Sequence, residues 1–285
     1  MVETLEETTW SALLDRIIKQ RCLPFLGAGA SLPAIPLAST IAADWAREYN
    51  YPGDNPKNLV DAQFLAVQFD PLTPKKKILK QLEGVVPPDF NAADEPHGLL
   101  ADLPLPIYLT TNYDDFMVRA LKSRHRDARR LLCLWNELIN NEPSVFDNDF
   151  SPTVANPLVF HWHGHTVPES IVVTEDDYVY FLSSMRDPHL LPCRIQPALA
   201  ESTCLFIGYR LADWNFRVIF QAMRRFASRV EPMKGMSIAV LKPPGDDELA
   251  RRRKEYLDKY YVDGRSKGVA RQASVRESRR NHYSL

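Results

Sequence analysis

Glycine is scarce in this 285-residue chain, 11 residues against 22 prolines, so a glycine placed in a turn says more than usual about the backbone there. No apolar run approaches the ~20 residues needed to cross a bilayer. The opening stretch from Met1 to Trp10 is acidic and polar, without the basic start and apolar centre of a secretory leader. A soluble, cytoplasmic protein without membrane contact is therefore expected. The four cysteines, Cys22, Cys133, Cys193 and Cys204, form no C-x-x-C pair. That argues against a disulfide framework and against a four-cysteine zinc site. Cys22 and Cys204 border apolar runs and read as small buried hydrophobes.

What is present is ordinary globular material, 45% hydrophobic and 25% charged, sufficient for one large core or a core with a subdomain. The net charge of −1 is unevenly spread: from Leu249 onward there are 11 Lys/Arg against 4 Asp/Glu, and before it 24 against 32. The basic end reads as a solvated helix face followed by a flexible tail over 263–285, with an acidic partner or nucleic acid as the alternative.

Trp10, Leu13, Leu14, Ile17 and Ile18 recur at helical spacing and predict one buried stripe on an opening helix, with Thr8 or Thr9 as its cap. The apolar run from Leu23 to Leu26 predicts a strand that stops at Gly27. A second helix follows Pro36, with Ile41, Trp45 and Tyr49 on one side. From about 50 to 102 the pattern is helical throughout, with stripes at Leu59, Ala62, Leu65 and Ala66 and at Ile78, Leu79 and Leu82, which reads as a helical insertion. Further strands are expected at Pro106 to Leu109, Leu131 to Leu134, Leu158 to His163, Ile171 to Val173, Cys204 to Ile207 and Ser237 to Leu241. Helices are expected at Asp115 to Leu121, Glu175 to Leu182 and Leu190 to Ala200, with a loop at Asn140 to Asn156. Apolar strands alternating with helices predict an α/β fold with a Rossmann-like, mainly parallel sheet covered on both faces.

Three of these strands end in turns suited to ligands, and the carboxyl ends of a parallel sheet line its crevice. Gly27-Ala28-Gly29-Ala30-Ser31 follows a strand and precedes a helix. Glycines there let the backbone approach a pyrophosphate, although Leu32 holds the third position of the dinucleotide fingerprint. Gly208-Tyr209-Arg210-Leu211 ends another strand, with Asp213 placed to cap the next helix. Thr110-Thr111-Asn112-Tyr113-Asp114 is a polar turn in which Asn112 could be a plain turn residue and Asp114 an N-cap. His161, His163 and His165 alternate, which on a strand points all three one way. They could bind a metal, supply a general base, or simply be satisfied imidazoles at a strand end.

Taken together, these segments resemble the sirtuin family. Gly27 to Ser31 is similar to its G-A-G-x-S opening, Thr110 to Asp114 to its T-Q-N-x-D turn, His163-Gly164 to its catalytic H-G, and Gly208 to Leu211 to its G-T-S-L segment. The four occur in family order over residues 27 to 211. The zinc-binding cysteine pairs and the G-I-P-D-F-R segment of the deacylases are missing. Thr174-Glu175-Asp176-Asp177-Tyr178 resembles the T-x-x-D-Y of the zinc-less, NAD⁺-hydrolysing domains of bacterial antiviral systems.

The resemblance implies a catalytic domain over 1–262 that cleaves NAD⁺ to nicotinamide and ADP-ribose, with NAD⁺ as substrate and no metal. It assigns Asn112, His163 and Asp114 to catalysis, His163 as base. Gly27, Ala28, Gly29, Ala30, Ser31, Thr111, Gly164, Gly208, Tyr209 and Asp213 would bind the dinucleotide. It further implies a homo-oligomer, a role in antiphage defence, a regulatory partner protein, and no direct contact with nucleic acid. The rival functions are a module that binds NAD⁺ or ADP-ribose without turnover, a deacylase or ADP-ribosyltransferase, and a metallohydrolase built on the three histidines.

Overall fold

Every strand of the sheet runs parallel to its neighbours, in the order β3-β4-β2-β1-β5-β6-β7. A computed structural model of the chain describes residues 7–51, 63–139, 144–148, 150–185, 187, 190–192, 194–209, 216–217, 220, 237–241 and 269–274. Among them are α1 (Glu7–Ile18), β1 (Cys22–Leu26), α2 (Ala38–Glu48), α3 (Gln63–Gln68), α4 (Thr73–Leu82), α5 (Pro96–Ala101), β2 (Ile107–Thr110), α6 (Phe116–Ser123) and β3 (Arg129–Leu132). There follow β4 (Leu158–His161), α7 (Glu175–Ser184), α8 (Ile195–Glu201), β5 (Thr203–Ile207), β6 (Ser237–Leu241) and β7 (Val269–Ser274).

Alternation along the strands sends successive side chains to opposite faces. In register, Ala239, Phe206, Phe25, Leu109, Phe160 and Leu131 form one row across the sheet. All six are buried in one core with Tyr178 and Phe181 of α7 and Ile195 and Leu199 of α8. The intervening residues Cys22, Leu26, Tyr108, Val159, Leu205 and Ile238 face the other way, against Leu13 and Ile17 of α1, Leu100 of α5 and Met117 and Leu121 of α6. The expected doubly covered parallel sheet is what the chain forms. Each fully buried Leu or Phe contributes roughly 1.5–3 kcal/mol. The described part of the stretch between β1 and β2 is helical, and its own small core joins Ile41, Ala42 and Trp45 of α2, Leu65 of α3 and Ile78 of α4 to Ile171 and Val173. Leu59 and Ala62 lie outside the described residues, as does the side chain of Ala66.

Several expectations need correction. On α1 the buried face carries Thr9, Leu13 and Ile17, while Trp10, Leu14 and Ile18 are exposed. The helix presents a narrower stripe to the sheet than its apolar sequence suggests, and Thr8 and Thr9 lie inside it instead of capping it. β3 starts two residues earlier than predicted, and β4 ends at His161 because Trp162 and His163 already turn. Ile171 to Val173 is buried but is not a strand. α8 begins only at Ile195. Val269–Ser274, within the segment read as a flexible tail, pairs with β6 as a parallel edge strand. The sheet partner supplies a reason for order that a polar sequence does not show by itself.

The chain passes from β1 to β2 on one side and later enters β5 on the other side of β1. Strand order reverses there, and the loops after β1, β2, β4 and β5 share one edge of the sheet.

Candidate functional site

The loops after β1 and β5 are fitted to each other through glycine. Gly27 N–H donates to Ile207 O, Gly29 N–H to Gly208 O and Ala30 N–H to Gly27 O, each at 2.9 Å. Gly208 has φ +78, and a Cβ on it would stand 2.3 Å from Ala30 N. A Cβ on Gly27 would stand 2.8 Å from the ring of Tyr209. That ring packs on Phe25 and Phe206. Its hydroxyl donates to Leu26 O at 2.9 Å and pairs with Thr111 Oγ1 at 2.8 Å. Burial raises the phenol well above its ordinary pKa. The N–H groups of this loop were expected to face a pyrophosphate; those of Gly27, Gly29 and Ala30 instead donate to backbone carbonyls, and Tyr209 covers Gly27.

After β2 the polar turn folds back onto that loop. Asn112 is buried, and its Nδ2 donates to Gly27 O at 3.1 Å and to Ser31 Oγ at 3.0 Å. Ser31 Oγ in turn donates to Asp114 Oδ2 at 2.7 Å. Asp114 Oδ1 accepts from Phe116 N–H at 3.0 Å. Asp114 thus serves the start of α6 from one residue ahead of the cap position, which Asp115 occupies without a side-chain capping bond. Burial raises the Asp114 carboxyl pKa, opposed by the Ser31 hydrogen bond. The structure therefore joins Gly27, Ser31, Asn112 and Asp114 in one hydrogen-bonded group, with Thr111 and Tyr209 alongside.

The three histidines do not share one direction. His161 and His165 stack with ring centroids 4.6 Å apart, whereas His163 lies edge-on to Tyr178 and Phe181 at 5.5 and 5.2 Å. The strand ends at His161, so the period-two argument does not reach the other two. Gly164 has φ +87 and approaches Ser170 so closely that a Cβ would meet Ser170 O at 2.2 Å. Such a backbone strongly favours glycine. His163 Nε2 is buried without a hydrogen-bond partner, and burial lowers its pKa to about 3. His163 and Asn112 each follow by two residues a paired position, Thr110 opposite His161. They therefore leave neighbouring strands at the same edge. Imidazoles so arranged do not converge on a metal, and among the described residues no group of three or more His, Cys, Asp or Glu could hold one.

Beyond the H-G turn, Thr174 and Asp177 form a reciprocal capping box on α7. Asp177 Oδ2 accepts from Val173 and Thr174 N–H at 3.1 and 3.0 Å, and its Oδ1 pairs with Lys75 of α4 at 2.6 Å. Tyr178 contacts His163. The T-x-x-D-Y segment thus fixes the wall behind the histidine and ties it to the helical insertion. Lys75 was missed because nothing in its local sequence marks a buried lysine.

A cavity of about 200 Å³ flanks β3, lined by Arg130, Leu134, Ser144 and Thr166 among others, and none of Gly27 to Ser31, Asn112 or His163 lines it. Asp213, with Arg210 and Leu211, lies outside the described residues. Cys22, Cys133 and Cys204 are buried and free, and burial pushes the Cys22 and Cys204 thiols up to about 12.

Against this geometry the comparisons can be read. A family model described as SIR2-like domain matches residues 106–263. The chain is 26% identical over 226 residues to a protein named NAD(+) hydrolase ThsA from Acinetobacter baumannii (strain 532279), covering 74% of this chain and 42% of the relative. It is 28% identical over 131 residues to the protein of that name from Bacillus cereus (strain MSX-D12), covering 46% of this chain and 25% of the relative. A third, from Enterococcus faecium, is 26% identical over 131 residues. The chain spans less than half the length of these curated relatives.

Proposed function

The chain belongs to the SIR2-like domain family, and on that footing we propose that it hydrolyses NAD⁺ to nicotinamide and ADP-ribose. The observation that carries the reading is the hydrogen-bonded group of Gly27, Ser31, Asn112 and Asp114. It stands at the strand-end edge from which His163, whose Nε2 has no partner, also leaves the neighbouring strand. The names of the relatives, NAD(+) hydrolase in each case, support it.

The bond that breaks joins the nicotinamide nitrogen to C1′ of its ribose. Its electron pair leaves with a ring that was cationic and departs neutral, so little acid assistance is needed. A water oxygen forms the new bond to C1′ and loses one proton. The demand on the protein is to support an oxocarbenium-like state and to aim that water. Asn112, held by Gly27 O and Ser31 Oγ, is the group to orient ribose or water. In this reading Asp114 orients the nicotinamide amide, and Gly27 to Ser31 with Gly208 and Tyr209 border the dinucleotide. His163 accepts the proton. Burial keeps its imidazole uncharged at neutral pH, which avoids placing a cation beside a cationic substrate. Water becomes strongly acidic as it bonds to an oxocarbenium carbon, so a weak base suffices.

The same resemblance brings the finer reading: a cytoplasmic homo-oligomer, gated by a partner protein, that depletes NAD⁺ during phage infection. The deep burial of His163 and its Nε2, which restricts the access of a water to that base, favours a second reading, binding of NAD⁺ or ADP-ribose without turnover. Nicotinamide release from NAD⁺, measured with and without candidate partners, separates the two. Asn112→Ala and His163→Ala are expected to lower turnover by at least ~10²-fold, the low end of what a general base contributes. Wild-type turnover in both variants would remove the mechanism.

A further inference from the structure

Three imidazoles crowd the turn after β4, and the proposed chemistry uses only His163. The other two face the backbone of the β2 turn. His161 Nδ1 meets Asn112 O at 3.1 Å, and His165 Nδ1 meets Tyr113 O at 2.5 Å. A carbonyl oxygen can only accept, so in both rings Nδ1 carries the proton. The two rings stack at 19° between their planes and are buried. His165 N–H is itself fixed on Ser170 Oγ at 3.1 Å, and Tyr113 is fixed from its other end, its hydroxyl donating to Val172 O at 2.6 Å.

These contacts hold two successive peptide units of the turn. The carbonyls of Asn112 and Tyr113 flank the Tyr113 Cα, and the held Asn112 carbonyl, with Asn112 N–H on Thr110 Oγ1 at 2.9 Å, fixes the peptides on both sides of Asn112 and so its Cα–Cβ direction. We infer that His161 and His165 are positioning residues, two neutral Nδ1–H donors that set the backbone of the β2 turn so that the Asn112 carboxamide reaches Gly27 O and Ser31 Oγ. This deepens the proposed reading and rests on it for any effect on turnover.

The electrostatics are consistent with that role and not with acid–base work by the pair. Burial lowers both imidazoles, His165 to about 4, helped by the charge of Arg130 and, for His161, by His165 itself. The bonds to Asn112 O and Tyr113 O, and for His165 the Asp115 carboxylate, oppose the shift without reversing it. A stacked pair of imidazoles already under the charge of Arg130 disfavours a second cation. The pair therefore stays neutral and in one tautomer through the physiological range, which is what a fixed donor requires.

The test exploits the two nitrogens of histidine. An asparagine amide can take the place of the Nδ1–H donor, and a glutamine amide that of Nε2. His161→Asn and His161→Gln, and the same pair at 165, are compared with the wild type for nicotinamide release. The Gln variants are expected to lose roughly 10- to 100-fold in kcat, the scale of a 1 Å misplacement, with KM for NAD⁺ changed by less than about 3-fold. The Asn variants are expected to keep most of kcat.

A readout independent of turnover accompanies it: the nitrogen spectrum of the imidazoles in the wild-type protein at pH 7, and hydrogen exchange of Asn112 N–H, which the structure bonds to Thr110 Oγ1 at 2.9 Å. Nδ1-protonated rings, with protection lost in the Gln variants and kept in the Asn variants, support the inference. Nε2-protonated rings, or equal effects of Asn and Gln on exchange, overturn it. Should the wild-type protein release no nicotinamide, the hydrolase reading fails while the spectrum and the exchange still decide the positioning role.

Discussion

Removing the charge of Lys75 should weaken the fold by several kilocalories and loosen the wall behind His163. Lys75 Nζ lies 2.6 Å from Asp177 Oδ1, with side chains only 8% and 10% exposed. Replacing Lys75 with Met keeps the unbranched apolar stem of the side chain but strands the carboxylate. A buried pair that loses one partner typically costs about 3–5 kcal/mol, because the remaining charge stays out of water. Two features moderate this. Asp177 still accepts from Val173 and Thr174 N–H, and it sits in the first turn of α7, where the helix dipole contributes roughly 0.3–1 kcal/mol to a carboxylate. An expected loss of about 3 kcal/mol remains, a large share of the 5–15 kcal/mol that typically separates folded from unfolded chains.

Urea unfolding followed by circular dichroism measures it. Lys75→Met/Asp177→Asn closes a cycle: once the carboxylate is neutral, losing Lys75 should matter less, giving a coupling of about 2 kcal/mol. Because Tyr178 and Phe181 of α7 both flank His163, kcat for NAD⁺ should fall in Lys75→Met under conditions where the protein remains folded. A stability change below about 1 kcal/mol with additive singles would show that the contact is not energetically coupled, and would refute the reasoning.

Acid should destabilise the protein earlier than its carboxylates alone would. His163 and His165 are held near 3 and 4 in the fold against 6.5 unfolded. The unfolded chain binds more protons between those values, so stability falls as pH drops below 6.5. His165 alone accounts for ~3 kcal/mol by pH 4 at 1.36 kcal/mol per unit. The raised Asp114 carboxyl works in the opposite sense and trims the loss. Thermal melts from pH 7.5 to 4.5 check the slope, and a flat profile between 7 and 5 contradicts it. Gly208→Ala should cost well over ~2 kcal/mol, combining φ +78 with a Cβ 2.3 Å from Ala30 N. Gly84→Ala shares a positive φ of +75 but meets nothing within 4 Å, so it should cost only ~1 kcal/mol; equal losses would exclude the close approach as the cause. Tyr209→Phe leaves the ring over Gly27 but deletes the hydroxyl between Leu26 O and Thr111 Oγ1. Calorimetry should report a loss of about 1–2 kcal/mol.

The sheet was legible where apolar runs were short and bounded. Leu23 to Leu26, Ile107 to Leu109 and Cys204 to Ile207 are buried on both faces and stop at polar or glycine turns, and each formed the strand its pattern predicts. Legibility failed where hydrophobicity and hydrogen bonding part company. Trp162 and His163 prolong the apolar run of β4, yet the chain turns at them. Ile171 to Val173 is as buried as a strand but spends its contacts on the H-G turn, Val172 N–H reaching His163 O at 3.1 Å. On α1, helical periodicity correctly announced a helix but could not say which part of a wide apolar arc the sheet would cover.

At the site, spacing located the turns but not the bonds between them. Nothing in the sequence pairs Ser31 with both Asn112 and Asp114, which lie 81 and 83 residues away. Yet that hydroxyl explains why the fifth place of the Gly27 to Ser31 segment carries a side chain that can both accept and donate. With alanine there, Asn112 Nδ2 would keep only Gly27 O, and Asp114 Oδ2 would lose its donor in a buried setting, each at a cost of about 1–3 kcal/mol. The glycines of the same segment answer a different requirement, the approach of Tyr209 and Gly208. A short run that reads as a phosphate loop is thus also the junction of three strand ends, those of β1, β2 and β5. Substitutions in it should disturb the carboxamide of Asn112 before they disturb any ligand directly.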